Sequence, residues 1–118
     1  MVISSKKGYR REYFARKELI ADGWDVVFKS VRYRYGTIDY AKLFDICCYK
    51  GQERKFISCK HFGNSNYYLP HQEDIKKFKD KYGKEGESYE LWEWKDSRWE
   101  GRGINKKWRK AEWIKIIL

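Results

Sequence analysis

Residues 43–61 read LFDICCYKGQERKFISCKH, and this stretch decides the fold. Two apolar runs, Leu43 to Tyr49 and Lys55 to His61, flank the polar segment Lys50-Gly51-Gln52-Glu53. Such runs read as strands. Gly51-Gln52 suits a two-residue type II′ turn, because glycine takes the positive φ that the turn requires. If Lys50 and Glu53 close that turn, Asp45 lies opposite Ser58. Residues two apart share a sheet face, so Lys60 emerges on the same side. Phe44, Ile46 and Cys48 are expected to fill the other face. A three-residue turn would reverse this parity. An Asp inside Leu43-Phe44-Asp45-Ile46-Cys47-Cys48 is out of place as packing, since a buried carboxylate needs a cation or hydrogen bonds. Lys60 and a divalent metal would supply both, and a plain Asp45–Lys60 ion pair is the bland alternative.

Upstream, residues from about Lys7 to Ala21 read as a helix with Tyr9, Tyr13, Leu19 and Ile20 on one face. Gly23 after Asp22 suits a left-handed C-terminal cap. Glu12 falls between Leu19 and Tyr9 around the helix, on the apolar stripe. It is therefore a candidate third acid, or else a stripe-edge Glu reaching solvent or pairing with Arg16. Trp24 to Lys29 reads as a short strand and Ser30 to Lys42 as a polar loop. Downstream, Pro70 suits the first turn of a second helix, with Ile75, Phe78 and Tyr82 as its stripe. Early Glu73 and Asp74 and late Lys76, Lys77, Lys79 and Lys81 match the helix dipole. Ser88 to Lys95 and Glu112 to Leu118 read as further strands. The expected order is α-β-β-β-α-β-β, an α/β architecture with a mixed sheet of about five strands flanked by helices, all in one domain over residues 1–118.

Composition narrows the function. The 118 residues are 42% hydrophobic, which suits a folded chain, and 19% aromatic, which serves either a core or base stacking. Twenty-seven Lys and Arg against seventeen Asp and Glu give a net charge of +10. A polyanion is the simplest partner for that excess. A membrane surface is the rival, and a Lys-rich solvated face explains charges but not their sign. Cys47, Cys48 and Cys59 read as free thiols in a reducing compartment. No CxxC is present, and a zinc site would need Cys47 or Cys59 together with His61 and further ligands. No apolar run approaches the roughly 20 residues of a membrane span, and no signal peptide is visible at the start. A cytoplasmic protein is the expectation.

The order of motifs resembles a family. Lys6-Lys7-Gly8-Tyr9-Arg10-Arg11-Glu12, then Leu19 and Gly23-Trp24-Asp25-Val26-Val27, is similar to the opening of archaeal Holliday junction resolvases and related phage nucleases of the PD-(D/E)XK superfamily. Phe44-Asp45-Ile46 resembles its acidic strand, Ile57-Ser58-Cys59-Lys60 its E-x-K strand, and Pro70-His71-Gln72 the His-Gln at the following helix. The resemblance runs to Trp94 and, more loosely, through the final strand. It implies a restriction-endonuclease-like fold and a Mg²⁺-dependent endonuclease, with Mn²⁺ as substitute. Asp45, the Cys59 carbonyl and Glu12 would hold the metal. Lys60 would orient the nucleophile or stabilise the charged phosphorus centre, and Gln72 would position water or phosphate.

One departure matters: Ser58 stands where the family carries its second acid, and serine brings no charge. Glu73 is then the further candidate ligand, with Glu12 contributing more. The alternative is a non-catalytic nucleic-acid-binding module on a degenerate nuclease fold, and a metal-free RNA-binding protein is a third reading. Lys6, Lys7, Arg10 and Arg11 oppose the dipole of the first helix, and with Arg32 and Arg34 they are the candidate DNA contacts. Branched or junction DNA is the expected substrate. Its twofold symmetry implies a homodimer, with exposed aromatics of the Trp92–Trp113 region as the expected interface.

Overall fold

The computed structural model describes the backbone of residues 2–34, 36–63 and 68–118, and the side chains of these except residues 2–9, 32 and 33. The elements in order are α1 (Val2–Ala21), β1 (Asp25–Lys29), β2 (Val31–Tyr33), β3 (Gly36–Ile38), β4 (Ile46–Lys50), β5 (Glu53–His61), α2 (Leu69–Tyr82), β6 (Glu87–Lys95), β7 (Arg98–Glu100), β8 (Lys107–Arg109) and β9 (Glu112–Ile117). Five strands form one mixed sheet in the order β1-β4-β5-β6-β9. β1, β4 and β5 run as an antiparallel meander, β6 lies parallel to β5, and β9 returns antiparallel. A parallel step needs a long crossover, and α2 supplies it.

The hairpin closes as its turn chemistry demands. Lys50 pairs with Glu53 and Ile46 with Ile57, and Gly51 takes a φ of 61° between them. α1 ends on a Schellman motif. Gly23 has a φ of 90°, its N–H donates to the Ile20 carbonyl, and the Trp24 N–H donates to that of Leu19.

The sheet has two apolar sides. Ala15 and Leu19 of α1 pack on Trp24, Ile46, Ile57 and Trp92. Ile75 of α2 packs on Phe44, Cys47, Phe56 and Tyr89, where the Phe56 and Tyr89 rings stack at 4.9 Å. The aromatic excess is thus divided: Trp24, Phe44, Phe56, Tyr89 and Trp92 are core, while Tyr13, Phe14, Tyr49, Tyr82, Trp99 and Trp108 are among those exposed.

Four expectations are corrected. α1 starts at Val2, earlier than Lys7, and its buried face carries Glu12, Ala15, Arg16 and Leu19, while Tyr13 and Ile20 are exposed. The Tyr9 side chain lies outside the described residues. Phe44 packs under α2, apart from Ile46 and Cys48, because β4 begins only at Ile46. Before it, a turn with positive φ at Ala41 and Lys42, closed by the Phe44 N–H on the Tyr40 carbonyl, breaks the alternation. The segment read as a loop holds the β2–β3 hairpin, and a second hairpin, β7–β8, follows β6. Among the described residues no helix is long and apolar enough to cross a membrane.

Candidate functional site

Asp45 stands one residue before β4, where the ladder to β5 runs out. Its N–H still donates at 2.9 Å to the carbonyl of Ile57, the residue that Ile46 already pairs with, so the register slips here and Asp45 stands against Ile57 and not, as expected, squarely opposite Ser58. Its side chain is 9% exposed. One carboxylate oxygen accepts the Cys59 N–H at 2.6 Å and the other the Ser30 hydroxyl at 3.2 Å. Burial pushes the Asp45 carboxyl above its ordinary value, and the negative charge of Asp39 adds to the rise. The Cys59 N–H, the Lys60 ammonium and Ser30 work against it.

Ser30 also bonds the Asp39 carboxylate. One hydroxyl carries one proton, so it can donate to Asp39 or to Asp45, not to both. The second contact is satisfied only if one carboxyl holds a proton or a cation lies nearby. Loop closure builds this arrangement: the Ser30 N–H donates to the Asp45 carbonyl at 2.8 Å, and the Tyr40–Phe44 turn brings Asp39 back to the sheet. Ser30 and Asp39 went unread in the sequence because nothing local marks them. Only the path of the loop brings them to Asp45.

Lys60 is half-buried on β5, on the face of Ser58 and beside Glu93 of β6 in the register. Glu93 is itself buried, which raises its pKa against the opposing Gly63 N–H. Ser58 is 0% exposed and lies 2.8 Å from His71 Nε2. Burial and the Lys60 charge lower the His71 pKa, while Asp74 and Asp39 oppose them. A neutral imidazole against a sealed hydroxyl makes a bridge from α2 to the sheet rather than a nucleophile, which would have to reach substrate.

Glu12 comes from α1, on the other side of the sheet, and is buried. Its charge and that of Asp45 both reach the Cys59 thiol, which burial holds well above its ordinary pKa. Glu12 and Asp45 therefore both lie near Cys59. Gln72 is half-buried in the first turn of α2, next to His71. Glu73 is exposed and lies 3.9 Å from Lys76, so the acid beside Asp45 is Asp39 and not Glu73.

Arg10 and Arg11 line a pocket of about 290 Å³ with Phe14, His61, Trp94 and Asp96. Asp96 is held below the ordinary carboxylate range, first by its bond to His61 and then by the charges of His61 and Arg11 and the Trp94 N–H. Arg34 is exposed. The side chains of Lys6, Lys7 and Arg32 lie outside the described residues.

Among the described residues, no group of three or more His, Cys, Asp or Glu side chains is placed to hold a metal ion. Cys47 faces α2 and Cys59 faces α1, and His61 is engaged by Asp96 at 3.1 Å. Burial pushes the Cys47 thiol up to about 12 and that of Cys48 to about 11, so neither is a thiolate at neutral pH. Mg²⁺ asks less of the protein: one or two carboxylates and retained waters. Buried Asp45 and half-buried Asp39, which share the single donor proton of Ser30, meet that need. The Cys59 carbonyl leaves β5 on the same edge as the Cys59 N–H that Asp45 accepts, because both groups of a strand residue point to one side. The donor set fits magnesium. The chain matches no family model, no curated protein and no solved structure.

Proposed function

We propose that this chain is a metal-dependent endonuclease acting on DNA phosphodiesters, with Asp45 and Lys60 at its centre. One observation carries the reading: a buried, under-neutralised Asp45 shares its surroundings with a second acid and with Lys60 at the open end of a strand pair. A mixed five-stranded sheet with α1 and α2 packed on it is compatible with the α/β architecture expected from the PD-(D/E)XK resemblance. The net charge of +10 suits a phosphate polymer.

Asp45 and Asp39, with the Cys59 carbonyl, would hold Mg²⁺, and Glu12 would add charge from the α1 side. A bound cation would supply Lewis acidity toward a phosphate oxygen and an attacking water. Lys60 holds its ammonium on the same face, where it would stabilise the charge that builds on the phosphoryl oxygens. The Cys59 N–H and Ser30 fix the Asp45 carboxylate, so its orientation costs nothing at the moment of reaction. His71, anchored by Ser58, sets the start of α2 and with it Gln72, which would meet the backbone phosphate. A preference for branched DNA and a twofold dimer are part of this proposal.

A second reading has its own observation. Ser58 is sealed against His71 where the nuclease pattern places an acid, so the site has one carboxylate fewer on β5. That favours a binding module that no longer cuts. A cleavage assay on junction, flap and linear DNA with Mg²⁺ or Mn²⁺ separates the two. Cutting should fall to background in Asp45→Ala and by about 10²–10³-fold in Lys60→Ala. Tight binding without any cutting would leave the second reading standing, and unchanged cutting in both variants would put the active site elsewhere.

A further inference from the structure

The β6–β9 ladder does not end with the sheet. Its register runs from Glu90↔Ile117 to Lys95↔Glu112 and is resumed in step by Arg98↔Arg109, Trp99↔Trp108 and Glu100↔Lys107. β7 and β8 are therefore the free end of one long ribbon. Two tryptophans pair across it edge to face, with ring centres 5.3 Å apart and planes at 68°. They are not core: Trp99 is 57% and Trp108 53% exposed, and Ile104 at the tip is fully exposed. Trp92 is buried and Trp113 partly buried against the α1-side core, so the expected aromatic interface shrinks to this one pair.

The charges around the pair are one-sided. Glu100 is taken up by Lys95, Arg98 and Arg109, and Glu112 by Arg98. Arg102, Lys106, Lys107 and Lys110 stand exposed, and Lys106 lies 5.4 Å from the Trp99 ring centre. Aromatic faces in water between exposed cations are what an unpaired nucleic-acid strand uses: bases stack on the rings and phosphates meet the cations. A protein interface of ordinary type would instead deplete lysine around its aromatic centre.

We infer that the β7–β8 arm is a stacking platform for unpaired bases, so that the ligand of this chain is a nucleic acid with a single-stranded segment. The inference concerns binding and stands whether or not the chain cuts. It is tested by fluorescence anisotropy of the full chain in EDTA, which removes cleavage from the readout. The probes are labelled oligothymidine, oligouridine and a blunt duplex of equal length. Trp99→Leu and Trp108→Leu keep apolar bulk but lose the aromatic face. Each should weaken single-strand binding by about 5–100-fold and leave duplex binding within a few-fold. Trp108→Phe should restore most of the loss, which separates stacking from a collapsed hairpin. Lys107→Glu should weaken every probe and flatten the salt dependence. Loss on oligothymidine assigns DNA, and loss on oligouridine RNA; either supports the arm. Unchanged single-strand affinity in both leucine variants overturns it. So does a dimer in sedimentation that those variants dissolve while nucleic-acid affinity holds. A chain that cuts DNA yet binds unchanged in the leucine variants keeps the nuclease reading and loses this one.

Discussion

Asp45 and Glu90 are both buried carboxylates of the central sheet, and they are held in opposite ways. Glu90 is 1% exposed on β6 and surrounded by donors. One oxygen accepts the Ser88 hydroxyl at 2.7 Å and lies 3.6 Å from Lys55 Nζ, and the other accepts the Trp92 indole N–H at 2.9 Å. Lys55 in turn lies over the Trp24 ring at 4.8 Å, which ties the acid to the start of β1. Asp45 has two donors and the charge of Lys60, but it faces a second acid across a single hydroxyl. Burial alone therefore does not mark a site. A carboxylate whose neighbours neutralise it fastens structure, whereas one left with unbalanced charge is poised for a cation or a proton.

The difference breaks first at Asp39. If Asp39 shares a cation with Asp45, Asp39→Asn should weaken apparent Mg²⁺ affinity in the cleavage assay by about 10–100-fold while the fold persists. An unchanged Mg²⁺ titration would return Asp39 to the role of a loop anchor. Glu90→Ala should do the reverse. It leaves the Trp92 N–H buried without its acceptor, a loss of about 1–3 kcal/mol in urea unfolding, with the Mg²⁺ dependence of cutting intact. A shifted Mg²⁺ requirement in Glu90→Ala would erase the distinction between the two acids.

What could be read in advance follows from how local each signal is. The hairpin and the face shared by Ser58 and Lys60 rest on one turn and a period of two, both written within 19 consecutive residues, whereas Asp45 stands just before β4, where the pairing slips and no alternation fixes its side. Glu12 was legible because helical spacing puts it beside Leu19, and both are buried, although Tyr13 and Ile20 of the same expected stripe are exposed. Asp39 and Ser30 were not, since they lie in a polar segment whose return path no periodicity encodes. His71 was quoted within a motif, but its bond to Ser58 depends on how α2 docks on the sheet, which is tertiary. Short strands such as β7 and β8 are interrupted by charges, and there the ladder continued from β6 and β9 outweighs weak local pattern.

The subtlest expected effect is in pH. The Asp45 carboxyl titrates above its unfolded value, with burial as the main cause. Its contribution to stability is therefore fully present below the unfolded pKa and is lost as pH rises through the folded one. Asp45→Asn has no proton to lose there. Thermal melts should show the variant gaining on the wild type as pH climbs out of the ordinary carboxylate range, with the gap flat once Asp45 is ionised. Added Mg²⁺ should narrow the gap at the upper end, because a cation stabilises the ionised form in the folded chain only. If the wild type instead gained on Asp45→Asn with rising pH, the Cys59 N–H, Lys60 and Ser30 would outweigh burial. Asp45 would then belong with Glu90, as a fastened strut whose charge the fold already balances.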